Sequence, residues 1–339
     1  MGRAGIHKRV KPKLRLIRLS DGRSGHDRQS LALTGALSRA LAEHAVEGVV
    51  EADLPAPRSP PHLTQLLIRA GIWRRPDDVQ TLPPGPTLLI GCGSRCARLS
   101  RLLRQRDPGH IRTVQILDPR RRRQDYDVLI IPLHDQVQGE NIINFSGSLH
   151  PVDNDWLHRA AQLWSPAWAD LPAPRLGLLI GGGRTLHRQW RQLKPLLAQR
   201  LAGGGSLLLS FSRRTPARAV AIIGAEASDW PGVIYHPDHG GDNPYPGILA
   251  LSDELWTGSD SINMISEALA TGKPVSVYPM PTGRRHKQFI NHCLTHYRLS
   301  RVGQPDPGTR PQLRPVDGVA ARLADKITTE WSDWLAGSP

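Results

Sequence analysis

Cysteine is scarce in this chain: only Cys92, Cys96 and Cys293 occur among 339 residues. An odd count of three in a chain this long excludes a disulfide framework and fits a reducing compartment. Cys92 and Cys96 flank the end of an apolar strand and read as buried thiols, not as a metal or redox pair. Long apolar runs are also missing. The best, such as Val128-Leu129-Ile130-Ile131, are strand-sized, far short of the ~20 residues that span a bilayer. The basic N-terminal residues Arg3, Lys8, Arg9, Lys11 and Lys13 have no apolar stretch or small-residue cleavage site behind them. No secretory signal is therefore expected, and the cytoplasm is the expected location.

Negative charge is in deficit, with 30 Asp and Glu against 44 Lys and Arg, a net +14. Such a field attracts phosphates, anionic lipid or nucleic acid. Arg98, Arg101, Arg104 and Arg106 form one cluster, and Arg120 to Arg123 an unbroken run. Zinc-finger spacing and aromatic RNA-binding signatures are absent, which sets nucleic acid aside. A basic face resting on an anionic leaflet fits better, at about 1 kcal/mol per Lys or Arg. An arginine-rich composition with no such role is the plain alternative.

What the chain has is alternation. Apolar runs such as Leu14 to Leu19, Thr87 to Ile90, Thr113 to Leu117 and Val128 to Pro132 alternate with helical patterns at 28–42 and 94–106. After Pro166, Pro172 and Pro174 the alternation restarts with Leu176 to Ile180 and Ser206 to Ser210. It continues to a terminal helix beyond 317. Strands alternating with helices predict an α/β fold with parallel sheets. The length suits about two domains. The reading is two doubly wound Rossmann-like domains facing a cleft: residues 1–165, a linker at 166–174, a second domain at 175–316, and a C-terminal helix at 317–339 packing back on the first.

The strongest candidate site is the stretch Thr257-Gly258-Ser259-Asp260-Ser261. It ends a strand and starts a helix, where amides and the helix dipole favour a diphosphate. Glu267, further along the same helix, can accept two hydrogen bonds from ribose hydroxyls. Gly181-Gly182-Gly183-Arg184 closes another strand and permits close backbone approach to phosphate. Arg213, Arg214 and Thr215 are expected at a helix start. There the guanidinium groups hold phosphate oxygens and balance charge on a leaving diphosphate in place of a metal. Tyr245, in Asn243-Pro244-Tyr245-Pro246-Gly247, is expected to shape a base pocket or rim. Asp21 and His26 flank a glycine turn after the first strand and are the leading candidates for the base of an inverting transfer; Asp135 and His134 come next. Turn and helix capping is the competing reading of Asp21 and His26. His236-Pro237-Asp238-His239 reads as a surface turn, and His292 with His296 lacks a third ligand, so no metal or other cofactor is expected.

The 257–291 segment, with Ser266-Glu267-Ala268, Gly272-Lys273-Pro274, Pro279, Gln288 and Asn291, resembles the donor-binding region of GT-B glycosyltransferases. The notable case is the enzyme adding N-acetylglucosamine to lipid-linked peptidoglycan precursors. The resemblance implies that Glu267 binds the ribose, Ser259 to Ser261 the diphosphate and Gln288 the transferred sugar. A closer resemblance runs through residues 19–30 (Leu-Ser-Asp-Gly-Arg-Ser-Gly-His-Asp-Arg-Gln-Ser), Gln115-Ile116-Leu117-Asp118-Pro119-Arg120, Pro132-Leu133-His134-Asp135, Ser212-Arg213-Arg214-Thr215-Pro216 and Asp242-Asn243-Pro244-Tyr245. These are similar to the ELM-type family named after a plant mitochondrial-fission factor; the plant role itself is not carried over. Together the resemblances imply a metal-independent glycosyltransferase of GT-B type. Its partners would be a nucleotide sugar, a glycan or glycolipid acceptor, and an anionic membrane at the periphery. A nucleotide-sugar epimerase or hydrolase, and a non-catalytic protein keeping the fold, are the alternatives.

Overall fold

The computed structural model describes residues 14–46, 49–56, 85–183 and 185–336. They divide into two compact units. The first takes residues 1–131, 137–145 and 316–339; the second takes 132–136 and 146–315.

The first unit is built on a six-stranded sheet ordered β2-β1-β3-β4-β5-β6. Its strands are β1 Arg15–Ser20, β2 Val50–Pro55, β3 Thr87–Cys92, β4 Ile111–Ile116, β5 Val128–Pro132 and β6 Ile142–Phe145. β1 to β5 pair in parallel. Every residue of β3 and β5 is buried, as a central parallel strand covered on both faces requires. Helix Ser24–Glu43 follows β1 and buries Ala32, Leu33, Ala36, Leu37 and Leu41 along one stripe. Helix Gly93–Arg106 follows β3. Helix Pro315–Thr328 and the short helix Ser332–Leu335 close this unit, where the Trp334 indole donates to the His110 carbonyl at 2.9 Å.

The second sheet runs β12-β11-β10-β7-β8-β9. It is made of β7 Arg175–Ile180, β8 Ser206–Phe211, β9 Gly232–Tyr235, β10 Glu254–Gly258, β11 Val275–Tyr278 and β12 Leu299–Arg301. All its pairings are parallel. Two apolar clusters cover it. One gathers Ile248, Leu255, Ile265, Val277 and Phe289; the other gathers Leu178, Trp190, Leu197, Leu209 and Ile223. The fold is thus α/β, two doubly wound Rossmann-like units.

The division differs from the expected boundary at 165 and linker at 166–174. Helix Asn154–Trp164 belongs to the second unit because it packs on helix Tyr245–Leu251: a Cβ on Gly247 would lie 2.5 Å from the Trp164 ring. Trp168, inside the expected linker, is buried in the second core, and its carbonyl accepts from Arg175 at 3.1 Å. Four elements escaped the sequence reading: β2, β6, β12 and helix Asn154–Trp164.

Candidate functional site

In the second sheet the strand order reverses between β7 and β10. Ligands of open parallel sheets bind outside the carboxyl ends of strands at such a point. Gly181-Gly182-Gly183 follows β7 and Ser259-Asp260-Ser261 follows β10. The two turns are joined: the Gly182 amide donates to Asp260 Oδ2 at 3.0 Å. Glycine is required there, since a Cβ at Gly181 would lie 2.3 Å from Oδ2 and one at Gly258 2.5 Å from Oδ1. Gly183 also has φ +135°, where other residues are strained. Arg184 lies outside the described residues.

The geometry gives several candidates other tasks than those expected. The Asp260 carboxylate occupies an amide that the sequence reserves for phosphate. Burial raises its pKa, against the pull of Arg214, whose guanidinium lies 3.9 Å away. The Ser259 hydroxyl accepts from the Met280 amide at 2.7 Å and donates to the Met280 carbonyl at 3.2 Å, so it is committed to β11's end. Ser261 caps helix Ile262–Leu269 through Met264 N, leaving the Ile262 and Asn263 amides without partners inside the helix. Helix Ala217–Ala227 begins two residues beyond Thr215, so Arg213, Arg214 and Thr215 occupy a turn instead of a helix start. Thr215 braces the glycine turn, donating to the Gly181 carbonyl at 2.7 Å. Arg213 and Arg214 are exposed.

Glu267 is 2% exposed, and Tyr245 donates its phenolic proton to Oε2 at 2.5 Å. Tyr245 is itself buried as the first residue of helix Tyr245–Leu251, not a rim residue. The ribose carboxylate implied by resemblance is therefore enclosed and already held by a phenol.

Gln288 and His134 do come together. With Ser146, Gly147, Phe289 and His292 they line a pocket of about 150 Å³. His134 and Asp135, expected in the first domain, group with the second unit. The reason is that Asp135 forms an ion pair with Arg285 and His134 packs 5.6 Å from the Phe289 ring. Burial lowers the His134 pKa to about 4. Such an imidazole is neutral at physiological pH and a weak base.

The other candidate pair, Asp21 and His26, lies in the first unit, whose sheet order reverses between β1 and β3. Asp21 follows β1, and its Oδ2 lies 3.0 Å from His26 Nδ1. Its Oδ1 accepts from the Arg23 amide at 3.1 Å. Asp21 therefore caps the turn and orients the ring at once, while His26 sits inside helix Ser24–Glu43 and is no cap. With Nδ1–H donating to the carboxylate, Nε2 carries the ring's free lone pair. Gly93 makes room: a Cβ there would lie 2.4 Å from the imidazole. Arg95, missed in the sequence, donates to the Asp21 carbonyl at 3.1 Å; its only sequence signal is a second glycine turn, Gly93-Ser94-Arg95. Lys273 was missed as well. Its ammonium donates to the Leu249 and Ala250 carbonyls at 3.0 and 2.5 Å, and burial lowers its pKa to about 8.

Two Asp-x-Asp sequences, a pattern linked elsewhere to metal-bound diphosphate, have structural partners. Asp127 pairs with Arg104 at 2.7 Å, and Asp153 caps helix Asn154–Trp164. Among the described residues no group of three or more His, Cys, Asp or Glu could hold a metal ion. None of the described helices is long and apolar enough to cross a membrane.

The chain is similar to known proteins along most of its length. Mitochondrial fission protein ELM1 of Arabidopsis thaliana is 31% identical over 220 residues, 57% of this chain and 51% of that protein. The chain thus spans about half the length of the plant relative. Uncharacterized protein RP120 of Rickettsia prowazekii (strain Madrid E) is 27% identical over 328 residues, 84% of this chain and 89% of the relative. Among solved structures, UDP-N-acetylglucosamine 2-epimerase of Neisseria meningitidis, bound to its UDP-sugar, superposes with a TM-score of 0.51. It is 13% identical, over 96% of this chain and 94% of that one, a likeness of fold. The family description "Mitochondrial fission ELM1" matches residues 24–327, and the chain belongs to that family.

Proposed function

We propose that the chain is a metal-independent, inverting glycosyltransferase. It takes a sugar from a nucleoside diphosphate held by the second unit and passes it to a hydroxyl of a glycan or glycolipid. The observation that carries this reading is the meeting of the glycine turn and the serine turn where β7 and β10 part, joined by the Gly182–Asp260 bond. The Ile262 and Asn263 amides, at the positive end of a helix dipole, receive the diphosphate. Arg213 and Arg214 balance the charge that grows on it as it leaves. Glu267 takes the ribose hydroxyls once Tyr245 yields Oε2, and Gln288 contacts the transferred sugar.

His26, oriented by Asp21, takes the proton of the acceptor hydroxyl. The hydroxyl oxygen bonds to the anomeric carbon, and the bond from that carbon to the diphosphate oxygen breaks, its electron pair leaving with the diphosphate. The fold-level likeness to an epimerase bound to a UDP-sugar supports a nucleotide-sugar partner. The arginines of the first unit would bring the protein to an anionic leaflet.

Calorimetric titration with nucleoside diphosphates tests this. Glu267→Ala weakens binding by about 1.5–3 kcal/mol, the cost of hydrogen bonds to a charged group. Unchanged affinity would sink the assignment. Incubation with donors and no acceptor is the second arm: rapid epimerisation or release of free sugar would replace transfer with chemistry on the donor itself.

A further inference from the structure

The loop after β4 is strained and basic. Leu117, Arg120 and Arg122 have φ of 69°, 65° and 55°, the left-handed region that glycine or asparagine occupies with least strain. Asp118 holds the loop. It accepts from the Arg120 amide at 2.8 Å and from both sides of the Arg123 fork at 2.9 and 2.8 Å. Only Arg123 of the four consecutive arginines is thus used for holding. Arg120, Arg121 and Arg122 are exposed. Among the described residues, the Arg121 and Arg122 side chains have no hydrogen bond or ion pair. An arginine kept where the backbone suits another residue points to a use for its side chain.

The sheet order places this loop on the same edge of the sheet as the proposed base. β4 lies two strands from β1, about 10 Å at the usual strand spacing. Between them, after β3, Arg95 reaches the Asp21 carbonyl. Arg121 and Arg122, in the loop after β4, and the Asp21–His26 pair, after β1, therefore both lie on the carboxyl edge of this sheet, with the end of β3 between them. Guanidinium forks grip phosphate oxygens bidentately.

We infer that this edge binds a phosphate- or diphosphate-bearing acceptor, its phosphate on Arg121 and Arg122 and its hydroxyl toward His26. The role of the hydroxyl rests on the transferase reading; the phosphate site does not.

The test titrates the full chain with inorganic pyrophosphate in the presence of saturating uridine diphosphate, and separately with uridine diphosphate alone. Arg121→Gln combined with Arg122→Asn removes both forks, and asparagine suits the left-handed position. Pyrophosphate binding falls about tenfold or more, as expected for lost charge-assisted contacts. Uridine diphosphate affinity and thermal stability hold. A charge-matched control, Arg191→Gln with Arg322→Gln, keeps pyrophosphate affinity. Unchanged pyrophosphate binding in the first variant, equal loss in the control, or a fall in stability that accounts for the loss would overturn the site. Failure of uridine diphosphate to bind counts against the transferase and leaves this site standing. Phosphatidylcholine vesicles doped with a prenyl diphosphate identify the source. Retention lost in the first variant assigns the phosphate to a lipid carrier, and pyrophosphate binding without retention assigns it to a soluble phosphorylated sugar. Equal retention of wild type and variant on phosphatidylglycerol vesicles, with pyrophosphate binding unchanged, would mark general charge attraction and overturn the site.

Discussion

Replacing Asp260 by asparagine tightens the binding of nucleoside diphosphates. The carboxylate accepts from Gly182 N at 3.0 Å, and its buried Oδ1 has no hydrogen-bond partner. Asparagine keeps one oxygen for the amide and removes the charge. For a phosphate docked on the same pair of turns a separation of about 5 Å from that carboxylate is assumed. Like charges at that distance repel by about 3 kcal/mol in an environment of effective dielectric ~20. Arg214, 62% exposed and 3.9 Å away, offsets part of this, and solvent weakens its share. The remainder is about 1.5–3 kcal/mol, roughly ten- to hundredfold in affinity. The pH dependence has a definite sign. Because burial raises the Asp260 pKa, the folded state disfavours its charge, and its contribution to stability falls as pH rises above the ordinary carboxylate value. Wild-type affinity for a diphosphate therefore climbs as the buffer becomes more acidic, while Asp260→Asn flattens that climb. Calorimetry on both proteins across mildly acidic to mildly alkaline buffers reads the two effects. Equal or weaker binding by Asp260→Asn would mean that no diphosphate approaches these turns.

Two further outcomes concern the supports of the site. Tyr245→Phe strips a donor from a buried carboxylate, lowering stability by about 1.5–3 kcal/mol; thermal denaturation reads this as a fall of several degrees, and an unchanged midpoint refutes the support. Lys273 has a folded pKa of about 8 against an ordinary 10.5. The unfolded chain thus binds the extra proton between those values, and stability gains about 3 kcal/mol as pH rises through the window. Lys273→Met removes that gain, which the difference between the two proteins' urea midpoints against pH measures.

What the sequence disclosed follows the range of each interaction. Asp21 and His26 are five residues apart, and a glycine turn before a helix is enough to bring them together. The glycine turns after β1 and β7 and most strands were legible for the same reason: each is a local pattern of apolar run and breaker. The Gly182–Asp260 bond joins residues 78 apart and exists only because β7 and β10 are neighbours, a pairing that the order of strands along the chain does not state. Tyr245 and Glu267 meet through helix packing, which no local pattern encodes. Helix Asn154–Trp164 escaped although it is amphipathic and capped by Asp153: it buries only Ala160 fully and leaves Leu163 73% exposed, so it carries few of the apolar residues that mark a core helix. The unit boundary escaped with it, since that helix and Trp168 are assigned by what they pack on.

Residue type names candidates, and surroundings choose among them. His26 and His134 each follow a strand of the first sheet and each stands near an aspartate. His134 is enclosed against Phe289, its Nε2 3.9 Å from Asp135, and Asp135 is engaged by Arg285. Burial without a close carboxylate disfavours the imidazolium, which is why its pKa falls to about 4. His26 keeps a carboxylate at 3.0 Å on Nδ1 and a partly exposed ring, so the ring's orientation is fixed by Asp21 while part of it stays accessible. The same contrast applies among the acids: Glu267 is clasped by a phenol and Asp260 by an amide, and the proposed donor site requires each to be released or screened. Arg213 and Arg214 are exposed at the same turn, with Arg214 3.9 Å from Asp260, and in the proposed function they supply that screening.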